Sequence, residues 1–177
     1  MSQSADRATT ILDAADRCAD RQGLAATSMK DVAHEAGVAQ GLLHYYFDTR
    51  ERLFDALVTR LLDRHLARFR EELERARPER RREIGLAWLR RRALGDRGAW
   101  RVLLEAVLAG SRRRGGALPA RFAERRAIVA AQIGGPDAAA KAMVLDALML
   151  GLALERLAGA TDREVEAALD ALETLIA

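Results

Sequence analysis

Residues 28–47, SMKDVAHEAGVAQGLLHYYF, constrain the fold of this chain more than any other stretch. Two short helices can cross closely at a tight turn only where the contact position is small and the turn residue tolerates unusual dihedral angles. Ala33 and Gly37, four apart, supply both. Val32, Ala36, Val38, Leu43 and Tyr46 stand where a helix-turn-helix buries its inner face. Thr27 and Ser28 offer N-cap oxygens for a first short helix continuing to Glu35, which Gly37 ends. A second runs from about Ala39 to Tyr45 and on into Phe47. Ahead of both, Ile11, Leu12, Ala15, Cys18 and Ala19 recur at helical spacing, which predicts a helix over 5–22 with Gly23 as its stop.

After Phe47 the pattern changes to long amphipathic helices. Asp48 and Glu51 are spaced like a capping box. From Phe54, through Leu57, Val58, Leu61, Leu62, Leu66 and Phe69, to Leu73 runs one apolar stripe, closed by Pro78. Further helices are expected at 79–93, 97–113, 119–133, 136–158 and 162–176, cut by Gly95, Gly115-Gly116 and Gly134-Gly135-Pro136. Thr161 and Glu164 repeat the capping-box spacing. No β-type alternation and no internal repeat is visible, so the expected fold class is all-α. It divides into an N-terminal three-helix helix-turn-helix domain, residues 1–50, and a C-terminal helical domain, residues 51–177.

Composition excludes several classes. With 50% apolar and 31% charged residues, the chain suits a folded globule. Its most apolar charge-free run near the C-terminus, Ala147 to Leu154, is far short of the ~20 residues a bilayer helix needs. The opening MSQSADRATT has no apolar signal region, so the cytoplasm is the expected compartment. A lone Cys18 forms no internal disulfide, and His34, His44 and His65 stand on different elements without neighbours at metal spacing. No nucleophile elbow or phosphate-cradling loop is present. The chain is therefore expected to be neither an enzyme nor a metal or cofactor protein.

The net charge of +3 is uneven: residues 1–50 carry 5 basic and 7 acidic side chains, whereas 75–126 carry 16 and 5. The runs Arg80-Arg81-Arg82, Arg90-Arg91-Arg92 and Arg112-Arg113-Arg114 suggest a second nucleic-acid surface. Consecutive helical positions point different ways, however, and 27 Arg against only Lys30 and Lys141 marks a general arginine bias. A solvated face is the simpler expectation.

The second helix of a helix-turn-helix lies in the DNA major groove, its first residues reaching base edges. Here Gln40 can pair with adenine, and Gly41 lets backbone approach closely. Tyr45, Tyr46 and Phe47 gather three of the chain's eight aromatics on differently facing positions, so at least one is expected to face a partner. Over about residues 7–55, with ILDAA, Gly23, Thr27-Ser28, DVAHEAGV, the aromatic end, Arg50 and Leu53-Phe54, the chain resembles the TetR family of bacterial transcriptional regulators. The resemblance implies a DNA-binding, dimeric repressor released by a small-molecule effector. By position it places DNA contacts on Thr27, Ser28, Lys30, Gln40, Gly41, Leu42, His44, Tyr45, Tyr46 and Arg50. Three positions depart from the family habit: Ala39 where a serine often opens the recognition helix, Leu42 in place of threonine, and His44 in place of tyrosine.

In the C-terminal domain, His65 lies on the apolar stripe, and Trp88, Trp100, Leu104 and Met143 could line an effector cavity with it. The segment AAAKAMVLDALMLGLALERLAG within 136–158 is apolar nearly all round and must be covered on several sides. With the stripe Val165, Leu169, Leu172 and Ile176, it predicts a homodimer through a four-helix interface. Two other readings remain open from the sequence: a helical protein-interaction module that does not bind DNA, and an RNA-binding protein using the arginine-rich middle.

Overall fold

The computed structural model of the chain describes residues 3–95, 97–111 and 117–175. Every regular element among them is helical, as expected: α1 (Gln3–Gln22), α2 (Met29–Ala36), α3 (Gln40–Tyr46), α4 (Arg50–Arg75), α5 (Arg81–Ala93), α6 (Arg97–Ser111), α7 (Ala117–Ile133), α8 (Ala138–Ala158) and α9 (Asp162–Leu175). A single 3-10 turn, Pro78–Arg80, leads into α5. The Arg112-Arg113-Arg114 run, Gly115-Gly116 and Ile176 lie outside the described residues.

These residues gather into two compact units. The first comprises residues 1–62 and 98–119, the second 63–97 and 120–177. The division differs from a single cut at residue 50, because α4 runs from one unit into the other and most of α6 packs with the N-terminal helices.

Unit 1 is built on α1, whose Ile11, Ala15, Cys18 and Ala19 are buried as expected, with Ala14 buried and Leu12 only half-buried. Beneath them lie Val32 and Ala33 of α2, Leu43 of α3, and Leu53, Phe54, Leu57 and Val58 of α4. Trp100, Val102 and Leu103 bury α6 in the same unit. In unit 2, Leu66, Phe69 and Leu73 of α4, Ala93 of α5, Met149, Leu152 and Ala153 of α8, and Val165 and Leu169 of α9 form the core. Phe69 and Trp88 stack at a tilt, 4.5 Å between ring centres.

Charged side chains also tie the helices of unit 2 together. Buried Arg156 donates to the carbonyls of Ala93 and Gly95 at 2.9 and 2.6 Å, closing the C-terminal end of α5, and reaches Asp162 at 2.8 Å. Arg90 holds both Asp170 and Glu173 of α9, Arg91 pairs with Glu72, and Arg80 pairs with Glu83. Arg80, Arg90 and Arg91, three of the six arginines in the described runs, thus pair with carboxylates of the same chain. Between α7 and α8, Arg125 lies 2.9 Å from Asp146 with little exposure of either, and its guanidinium covers the Phe122 ring.

One expected cap is corrected. Asp48 and Glu51 do not start α4: Thr49 does, its hydroxyl accepting from the amide of Arg52 at 3.2 Å. The Thr161 and Glu164 box forms as expected, each side chain accepting from the other's backbone amide.

Candidate DNA-binding site

The site is the α2–α3 hairpin of unit 1. Ser28 opens α2 through a full capping box: its hydroxyl accepts from the amide of Asp31 at 3.2 Å, and the Asp31 carboxylate accepts from the Ser28 amide at 2.9 Å. The Ser28 hydroxyl, followed by its backbone amide, holds the Asp31 carboxyl below the usual carboxylate range. At the other end Gly37 takes φ +65, a left-handed conformation that glycine adopts freely. Its amide and that of Val38 return to the last carbonyls of α2, at 3.1 Å to His34 and 3.0 Å to Ala33. Buried Ala33 is the small contact the tight turn requires.

Leu43, with no exposure, anchors α3 against the unit's core. Ala39 precedes the helix in extended conformation without a side-chain cap, and α3 begins at Gln40, one residue later than expected. Gln40, Gly41, His44 and Tyr45 are exposed on α3, while Leu42 and Tyr46 are half-buried. Tyr45 is 81% exposed, and its ring meets that of Tyr46 edge-on at 5.4 Å. One of the consecutive aromatics therefore faces outward while its neighbour supports it. His44 Nδ1 lies 3.3 Å from the carbonyl oxygen of Asp48. A carbonyl only accepts, so that contact requires the proton on Nδ1.

Two residues expected at DNA are otherwise engaged. Thr27 is buried, and its hydroxyl donates to the Gly23 carbonyl at 2.8 Å, so the side chain holds the α1–α2 turn. Arg50 donates to the carbonyls of Thr27 at 2.9 Å, Ala25 at 3.1 Å and Leu24, with its guanidinium 4.8 Å from the Phe54 ring centre. It staples the start of α4 to that turn. Ser28 and Lys30 are exposed at the start of α2.

Sequence reasoning missed the ion pairs that set the hairpin against α1. Arg17 and Arg21 both grip Glu35 of α2, at 2.7 and 2.6 Å, and their hydrogen bonds keep the Glu35 carboxyl below its ordinary range. Their separations of 18 and 14 residues from Glu35 give no periodic signal, since the partners meet only once α1 and α2 have packed together. Also missed were Arg101 and Glu105 of α6, which reach the end of α1 and the turn after it.

The five residues expected around an effector do not come together within one unit. Trp100, fully buried, and Leu104, half-buried, belong to unit 1; His65, Trp88 and Met143 belong to unit 2. Met143 is 58% exposed in the single chain. His65 is half-buried, and burial, followed by the charges of Arg92, Arg64 and Arg68, pushes its pKa down to about 4. No group of His, Cys, Asp and Glu among the described residues is arranged to hold a metal ion, and no described helix is long and apolar enough to cross a membrane.

Comparison with known proteins agrees with this geometry. Residues 11–57 match the family described as bacterial regulatory proteins, tetR family. The HTH-type transcriptional repressor KstR2 of Rhodococcus jostii is 35% identical over 65 residues, 37% of this chain and 32% of that protein. The HTH-type transcriptional regulator UidR of Escherichia coli is 35% identical over 66 residues, again 37% of this chain and 34% of its own length. The chain thus spans about a third of these curated relatives. Likeness to solved structures extends along the whole chain: a TetR-family member from Streptomyces coelicolor shares 29% identity with a TM-score of 0.75, covering 96% of this chain and 97% of that one. A TetR transcription regulator from Haloarcula marismortui shares the fold at a TM-score of 0.81 and 20% identity, covering 96% of each chain. A transcriptional regulator from Saccharomonospora viridis, solved in complex with choline, matches at a TM-score of 0.77 and 23% identity over 95% of each chain. The hairpin thus matches the tetR family of bacterial regulatory proteins from α1 to the first turns of α4, and the helices follow those of a solved member from end to end.

Proposed function

We propose that this protein is a homodimeric transcriptional repressor that binds an operator through the α2–α3 hairpin and leaves it when a small molecule binds the helical second half. The observation that carries the reading is the row Gln40, Gly41, His44 and Tyr45, exposed on a short helix anchored from beneath by Leu43. Gln40 reads base edges, Tyr45 and the exposed Ser28 and Lys30 serve phosphates, and Gly41 admits close approach. Residues 1–50 supply the reading surface and 51–177 the dimer and effector functions. The protein acts in the cytoplasm and catalyses no reaction.

The exposed face of α8 supports the dimer. Ala140, Val144, Ala147, Gly151, Leu154 and Ala158 recur at alternating intervals of four and three, and all six are exposed in the single chain. That is the 3.5-residue period of a seam between paired helices. Val144 and Leu154 are 63% and 61% exposed, apolar surface that a second copy would remove from water. Two recognition helices then reach successive major grooves ~34–36 Å apart. An effector preferring another spacing lowers operator affinity by its differential affinity for the two states.

Fluorescence anisotropy with duplexes from the region upstream of the gene tests the reading. The wild type should select one duplex over unrelated DNA, and Tyr45→Ala and Lys30→Ala should weaken that binding at least about tenfold. Equal binding of every duplex by all three proteins would falsify it. Tight binding to single-stranded RNA, lost on removing exposed arginines of α5, would support the RNA alternative instead.

A further inference from the structure

We infer that Glu105 and Arg101, on α6, are positioning residues for DNA reading: they fix the α1–α2 turn from which the hairpin springs, without touching DNA. The inference rests on the operator-binding reading above.

The turn 23–27 links α1 to α2, and it is held both by its own hydrogen bonds and by side chains from elsewhere in the unit. Gly23 adopts φ +83. Its amide returns to Ala19 at 2.8 Å, and Thr27 returns to the Gly23 carbonyl. Arg50 takes carbonyls of Leu24, Ala25 and Thr27. The amide of Ala25 goes elsewhere, to Glu105 Oε2 at 3.2 Å. Glu105 Oε1 lies so close to Gly23 that a Cβ placed there would be 3.0 Å from it. One carboxylate thus touches the turn at two points.

One helical turn earlier on α6, Arg101 donates to the carbonyls of Ala19, at 3.3 Å, and of Asp20. These are among the last four carbonyls of α1, at the negative end of its dipole, and that of Ala19 also accepts from the Gly23 amide. Buried Trp100, Val102 and Leu103 fix α6 in the same unit, so the two charged side chains extend from a held backbone rather than a free one. The end of α1 is gripped by a cation and the turn after it by an anion, both from α6. Arg50 grips the same turn from α4. The chain passes from α5 into α6 and from α6 into α7, elements that lie largely in unit 2, so a change there has a covalent route to these contacts besides α4.

Electrostatics and positioning predict opposite signs. Deleting the Glu105 charge removes repulsion toward a polyanion and by charge alone would tighten binding to any DNA. A positioning role predicts weaker binding to the preferred duplex and no change on unrelated DNA. The experiment uses the full chain, a labelled duplex selected by the wild type from a random pool, and an unrelated duplex of equal length, at one salt concentration. Glu105→Ala and Arg101→Gln should each weaken the selected complex about tenfold, a typical coupling between sites. The unrelated duplex should bind as before. Glu105→Gln, which keeps an acceptor oxygen, should stay within about threefold of wild type. Circular dichroism at the assay temperature establishes that each variant is folded; should Glu105→Ala fail this, Arg101→Gln decides alone. Selected-duplex binding by Glu105→Ala that equals or exceeds wild type overturns the inference. So does an Arg101→Gln loss equal on both duplexes, which is a charge effect. A wild type without any preferred duplex removes the operator reading itself, and this inference with it.

Discussion

Two helices of this protein expose one face each, and the faces differ in kind. On α3 the exposed residues are Gln40, Gly41, His44 and Tyr45, groups that form hydrogen bonds and tolerate water. On α8 they include Met143, Val144, Leu154 and Leu157, which water gains nothing by touching. The first suits a hydrated, charged groove; the second suits another apolar surface. Their supports differ too. The seven residues of α3 are held from beneath by one buried leucine and at the turn by carbonyl contacts, whereas α8 runs 21 residues and carries its own core positions Met149, Leu152 and Ala153. A reading surface needs fixed orientation, and a pairing surface needs length and area.

The largest expected effect strikes the α8 face. Leu154→Glu places two charges in a pair of helices related by symmetry, and should weaken association by roughly 5 kcal/mol, more than three orders of magnitude in Kd. Sedimentation equilibrium at micromolar concentration should then show monomer; a stable dimer would move the interface elsewhere. Leu43→Ala attacks the α3 face from below. Removing this fully buried side chain should cost about 3 kcal/mol, read as a drop in the urea midpoint, and reduce operator binding with it.

A smaller effect belongs to His65 of α4. Burial, with Arg92, Arg64 and Arg68 nearby, favours its neutral form and pushes its pKa down to about 4. Below the imidazole's ordinary 6.5 the unfolded chain takes up a proton that the folded chain refuses. Stability is therefore lost as pH falls from 6.5 towards about 4. Between pH 7 and 5, above the usual carboxylate range, the loss should be about 1 kcal/mol once solvent screening is allowed for, and His65→Gln should abolish it. Smallest is Tyr45→Ala on stability. With its ring largely in solvent, melting should change by less than about 0.5 kcal/mol even where DNA binding collapses. A large stability change would show that the ring supports the fold rather than the partner.

The hairpin was legible because its geometry is dictated locally. Ala33, Gly37 and Ser28 each satisfy a steric or capping demand within a few residues, and such demands are written in the sequence. The element pattern was legible for the same reason, to within a residue or two at most ends. What stayed hidden depends on the third dimension. Thr27 and Arg50 read as surface polar groups, yet both serve the α1–α2 turn, and nothing in spacing shows an arginine directed at carbonyls 23 to 26 positions earlier. Trp100 and Trp88 read as possible companions in one cavity, and spacing did not show that the chain alternates between two units, one tryptophan in each. Arg90-Arg91-Arg92 resembled a solvated run, until folding set Asp170, Glu173 and Glu72 opposite.

Cys18 is the chain's one thiol; it is 2% exposed, and burial raises its pKa, so little thiolate forms at neutral pH. A maleimide dye would therefore pass over it. A cysteine introduced at Tyr45 or Leu154 would be the sole reactive handle, and a fluorophore could report on either exposed helix without first stripping the native sulfur from α1.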